Sequence, residues 1–81
     1  MKIRKANILD EKAVTNVYIY ENKKEEYRVV AIPDIEWSLL IRYEEGTEEL
    51  EKRLLLSLSK ILPNEKVEQL SRKILYWICE M

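Results

Sequence analysis

Between Ile35 and Tyr43 the chain alternates in character, and this alternation constrains the fold more than any other feature. The odd positions are Ile35, Trp37, Leu39, Ile41 and Tyr43, while the even ones are Glu36, Ser38, Leu40 and Arg42. A period of two, apolar on one side and mostly polar on the other, describes a strand with one face in a core and one in water. The segments around it are therefore read as a sheet, with Ile35, Trp37, Leu39, Ile41 and Tyr43 on its covered face.

Upstream, Thr15, Val17, Tyr18, Ile19 and Tyr20 form a β-branched and aromatic run, and such residues suit a pleated surface. Val17 and Ile19 fall on one side of it and Tyr18 and Tyr20 on the other. The polar stretch 21–26 interrupts, and 27–32 (Tyr-Arg-Val-Val-Ala-Ile) resumes strand character, which predicts a hairpin with a charged loop. Pro33-Asp34 then separates this strand from the organising one. Proline cannot take a positive φ, so a two-residue type I′ hairpin is excluded. Two solutions remain: a type I turn with Pro33 second and Asp34 third, or one long edge strand bent at a bulge. Residues 1–13 are the least legible, because Ile3, Ala6, Ile8 and Leu9 keep neither period. A short strand over 2–8 with a turn at Asp10-Glu11-Lys12 is one reading, and disorder is the other.

Gly46, the only glycine, closes the sheet region. Thr47 follows as the expected N-cap of a helix, with Glu48, Glu49 and Glu51 complementing the positive end of its dipole. At 100° per residue Leu50, Leu54, Leu58 and Ile61 share a face, flanked by Leu55 and Leu62. Pro63 stops this helix and Asn64 is placed to cap the next, whose stripe holds Val67, Leu70, Ile74, Trp77, Ile78 and Met81. The prediction is an α+β fold. An antiparallel sheet of three or four strands is followed by two C-terminal amphipathic helices packed on one face.

Eighty-one residues make a single domain, 1–81, with a small core, since a chain this short buries only about 60–65% of its unfolded surface. A net charge of −1 gives no global attraction to phosphate backbones or anionic membranes. Cys79 is the only cysteine, so no internal disulfide can form. No signal-peptide pattern follows Lys2, Arg4 and Lys5, and no run approaches the roughly 20 apolar residues of a membrane span. The expected location is the cytoplasm, and no membrane partner is expected.

Catalysis is the first class to lose support. The chain has no histidine, which removes the commonest general base and metal ligand. One glycine rules out a Gly-rich phosphate loop. Paired carboxylates could still hydrolyse a glycoside if held about 5–9 Å apart. However, Glu44, Glu45, Glu48, Glu49 and Glu51 cluster where a helix begins, and a solvated capping role accounts for them. Cys79 is read as a small, partly buried apolar residue, because a helix C-terminus and Glu80 oppose thiolate formation. No catalytic residue, cofactor or metal ligand is assigned.

The tyrosines are the more informative group. Tyr18 and Tyr20 are expected on the open side of the hairpin, with Tyr27 and Arg28 beside them on the next strand. Exposed aromatics of this kind anchor protein partners, and a small domain can also bury them by dimerising. They can equally stack single-stranded bases. That second reading needs a positive groove, and Glu21, Glu36 and Glu44 stand in the same sheet region. Cross-strand tyrosine pairs that merely stabilise a two-sided sheet are the plain alternative. Leu56 and Tyr76, each on the polar side of its helix, are further contact candidates.

In 20–27 (Tyr-Glu-Asn-Lys-Lys-Glu-Glu-Tyr) and 31–38 (Ala-Ile-Pro-Asp-Ile-Glu-Trp-Ser) the chain resembles the YueH-like family of small bacterial proteins. The overall length and the tryptophan of the last helix are similar too. The resemblance implies a bacterial, cytoplasmic, stand-alone domain and transfers no site residue. The expectation is a small, non-enzymatic protein-interaction module that can self-associate through Tyr18, Tyr20, Tyr27 and Arg28. A single-stranded nucleic-acid binder using the same aromatics is the alternative.

Overall fold

The computed structural model describes residues 2–6 and 14–80. Over them run β1 (Lys2–Ala6), β2 (Thr15–Asn22), β3 (Tyr27–Ile32), β4 (Trp37–Arg42), α1 (Thr47–Ser59) and α2 (Asn64–Glu80). A four-stranded antiparallel sheet followed by two helices is the expected α+β class. Met1–Glu45 is one compact unit and Gly46–Met81 another. The turn expected at Asp10-Glu11-Lys12, together with Ile8 and Leu9, lies outside the described residues.

The sheet is a meander in the order β1-β2-β3-β4. Its register decides which side chains share a face, because residues directly opposite across a ladder point the same way. Val17 opposes Arg4, Ile19 opposes Val30, and Ile32 opposes Trp37. This side carries Ala6, Thr15, Val17, Ile19, Val30, Ile32, Trp37 and Ile41, all buried. Removing each Val or Ile side chain from water contributes roughly 1.5–3 kcal/mol. Leu39 is half-buried on the same face.

The β2–β3 hairpin forms as expected, with a four-residue loop at 23–26. The Asn22 side-chain carbonyl accepts the Glu25 N–H at 3.0 Å, and Glu26 adopts a left-handed φ of 58° that returns the chain to β3. Between β3 and β4 the chain differs from the expected strand. Pro33–Ile35 winds into a 3-10 turn, whose Pro33 carbonyl accepts the Glu36 N–H at 3.0 Å. Ile35 and Glu36 therefore leave the organising strand, which begins at Trp37. The cause is Pro33: it forces Ile32 into an extended conformation and cannot itself donate to a ladder. Glu36 completes the reversal with a φ of 50°. The bent edge strand is not adopted.

In the helical unit α1 and α2 pack on each other across the short connection at 60–63. Gly46, not Thr47, occupies the N-cap of α1, and no side chain caps it. Its extended backbone already presents a carbonyl to the Leu50 N–H at 2.9 Å, so Thr47 is the first helical residue. The Pro63 carbonyl accepts the Val67 N–H at 3.0 Å in the same way, which puts Asn64 inside α2 rather than before it. Leu50, Leu54 and Leu58 are buried as expected, but Ile61 is 45% exposed and Leu62 is buried in its place. The helix ends at Ser59, so the 100° phase no longer governs residue 61. Val67, Leu70, Ile74 and Ile78 form the buried stripe of α2, with Trp77 half-buried beside it and Ser71 within it. Met81 lies outside the described residues. Cys79 is exposed rather than partly buried, since it sits about 100° further round the helix than Ile78.

Candidate functional site

Opposite the buried side, the sheet presents three consecutive rows of side chains. Ile3, Tyr18, Ala31 and Ser38 oppose one another across all four strands. The next row is Tyr20, Val29 and Leu40, and the third is Asn22, Tyr27 and Arg42. Ile3, Tyr20 and Leu40 are 51%, 43% and 42% exposed, while Tyr18, Tyr27, Val29 and Ala31 are half-buried. An aromatic and aliphatic surface thus runs from β1 to β4. Contiguous apolar exposure on this scale marks interaction sites more often than scattered single residues do.

The tyrosines hold their places through their neighbours. The rings of Tyr20 and Tyr27 are 6.2 Å apart between centroids and inclined at 56°, a tilted aromatic pair. Asn22 Nδ2 donates to the Tyr27 hydroxyl at 3.4 Å, and Asn16 Nδ2 to the Tyr18 hydroxyl at 3.5 Å. The charges on this face are of one sign. Among the described strand positions it carries Lys5 and Arg42, both exposed, and no carboxylate.

The structure brings Tyr18, Tyr20 and Tyr27 together as expected, but it does not place Arg28 with them. Arg28 opposes Glu21 and Ile41, which puts it on the other face. There its guanidinium carbon lies 4.5 Å from the centre of the Tyr43 ring, a cation–π contact. Its Nη2 is 3.5 Å from Glu21 Oε2, with about one sixth of each side chain exposed. The Tyr43 hydroxyl donates to the same Glu21 oxygen. That hydrogen bond holds the Glu21 carboxyl below its usual range against the opposing effect of burial, and the Arg28 charge adds to it. The same bond, reinforced by burial, raises the Tyr43 phenol above its usual range. Glu21, Arg28 and Tyr43 form one cluster on the face opposite the three tyrosines.

Lys5, Ile3, Val29, Leu40 and Arg42 are members of the open face that single-strand reading passed over. The available signal was the parity of Leu40, the one apolar residue at an even position of the organising strand. Among the described residues no group of three or more Cys, Asp or Glu side chains could hold a metal ion. No helix among them is long and apolar enough to cross a membrane.

Comparison with known proteins places this fold in a lineage. The chain is 44% identical over 82 residues to the "Uncharacterized protein YueH" of Bacillus subtilis (strain 168), and all of both chains is covered. No solved structure matches. The family model described as "YueH-like protein" matches residues 2–80, which is nearly the whole chain. The protein belongs to the YueH-like family.

Proposed function

We propose that this protein is a non-enzymatic interaction module whose contact surface is the open sheet face centred on Tyr18, Tyr20 and Tyr27. One observation carries the reading: apolar and aromatic side chains continue across all four strands without a charge among them, with Lys5 and Arg42 at the margins. Tyrosine offers large, stiff contact area with a polar tip, which is why it recurs as an interface anchor. The partner that fits is a protein presenting apolar side chains flanked by carboxylates. A second copy fits this face less well, because its own lysine and arginine would meet no acid on the facing strands. The absence of histidine from the chain supports a binding role over a catalytic one.

A second reading has an observation of its own. The three tyrosines lie on the two central strands; of the acids that weighed against nucleic acid, Glu21 points to the opposite face and Glu36 and Glu44 fall outside the strands. Single-stranded bases stack on such a platform.

The test is a Tyr18→Ala/Tyr20→Ala variant compared with the parent chain. Recovery of a stoichiometric protein by the parent and its loss from the variant support the first reading. Unchanged partners contradict it. Mixed-sequence single-stranded oligonucleotides separate the two readings. Two phosphate contacts, to Lys5 and Arg42, give a slope of about −1.4 in log affinity against log salt, whereas no binding at low salt removes the second reading.

A further inference from the structure

We propose that the outer groove of the helix hairpin is a homodimer interface, distinct from the open sheet face. Between α1 and α2 lies an open groove of about 420 Å³, lined by Lys52, Leu55, Leu56 and Ser59 from α1 and by Asn64, Val67 and Glu68 from α2. A smaller cavity of about 100 Å³ continues it toward Glu51, Ser71 and Arg72. Leu55 and Val67 give an apolar floor, and Leu56 stands at the rim 66% exposed. Grooves of this form receive an amphipathic helix.

Charge decides whose helix it is. Each wall carries one base and one acid: Lys52 and Glu51 on α1, Arg72 and Glu68 on α2. A partner of uniform sign gains nothing from such walls, whereas a second copy of the chain complements them. With a two-fold axis along the hairpin, α1 of one copy lies antiparallel over α2 of the other. Lys52 then faces Glu68 of the second copy, and Glu51 faces its Arg72. Leu56 from each copy enters the other's groove between Leu55 and Val67. The result is a four-helix contact with two equivalent leucine anchors.

Sedimentation equilibrium of the purified full chain tests this across micromolar to millimolar concentrations. The expected mass is twice the 9.8 kDa of the chain. Leu56→Glu keeps helix propensity and gains Lys60 one turn on, so it should leave the far-ultraviolet spectrum unchanged and yield the monomer mass. Lys52→Glu should weaken association by about tenfold, as two rim pairs become repulsive. Adding Glu68→Lys to it should restore the dimer. Tyr20→Ser should not affect the mass. A parent chain that is monomeric throughout overturns the proposal. So does a dimer that survives Leu56→Glu, or one that is lost with Tyr20→Ser.

Discussion

Three side chains show how the same physical rule, that a polar atom out of water needs a partner, is met or missed. Glu21 and Tyr43 meet it together, since the phenol donates to the carboxylate and Arg28 lies over the ring. Glu21 is lowered from its ordinary 4.5, so its contribution to stability is complete above that value and fades as pH falls through the folded pKa. Tyr43 is raised from its ordinary 10.0, so its contribution is complete below that value and fades as pH rises through the folded pKa. Tyr43→Phe removes the donor from both. Its urea midpoint should lie below the parent's near neutral pH and decline less than the parent's on both the acid and the alkaline side. An unchanged pH profile would contradict the cluster. Ser71 is the opposite case. Its hydroxyl is buried in the apolar stripe of α2 with no hydrogen-bond partner among the described residues. A helical serine ordinarily donates to the carbonyl a turn earlier. Ser71→Ala removes an unsatisfied group and gains helix propensity, so it should stabilise the fold by about 1 kcal/mol in urea unfolding. Destabilisation would show that the hydroxyl is used.

At the scale of elements, the β3–β4 connection sets where the sheet reverses. Glu36 closes it in the left-handed region, where an L side chain costs roughly 1–2 kcal/mol. Glu36→Gly should therefore raise stability by about 0.5 kcal/mol after the entropy of glycine is counted, and a loss in thermal unfolding would contradict the strained turn. This turn also shows what the sequence made legible. Periodicity reports long, uniform segments, so β2, β3, most of β4 and both helices were readable from the spacing of their apolar residues. It does not report where a segment stops. The Pro33 turn removed Ile35 and Glu36 from the strand, and the end of α1 at Ser59 released Ile61 in favour of Leu62. Caps at Gly46 and Pro63 came from backbone carbonyls, which no side-chain preference reveals. The site was legible by half for a related reason. Parity along β2 placed Tyr18 and Tyr20 on the open face, but pairing of β2 with β3 had to be known before Tyr27 could be joined to them and Arg28 separated. Register is a relation between strands, and a single strand does not contain it.

Taken over the whole molecule, a net charge of −1 conceals two surfaces of different electrostatic character. The open sheet face has cations alone among its described strand positions, and the hairpin groove has balanced signs. Binding at the first should weaken with salt, because it draws on an acidic partner. Pairing at the second should depend more on Leu56 than on ionic strength. The central claim, that Tyr18, Tyr20 and Tyr27 mark a contact surface for another protein, is tested most directly by a photo-crosslinking residue placed at Leu40. Leu40 lies beside Val29 at the edge of the aromatic row, and the same probe at exposed Tyr76 on α2 is the control. In host cells the account predicts a discrete heterologous adduct from position 40 that is absent from position 76. Adducts no more frequent or defined at 40 than at 76 would contradict it.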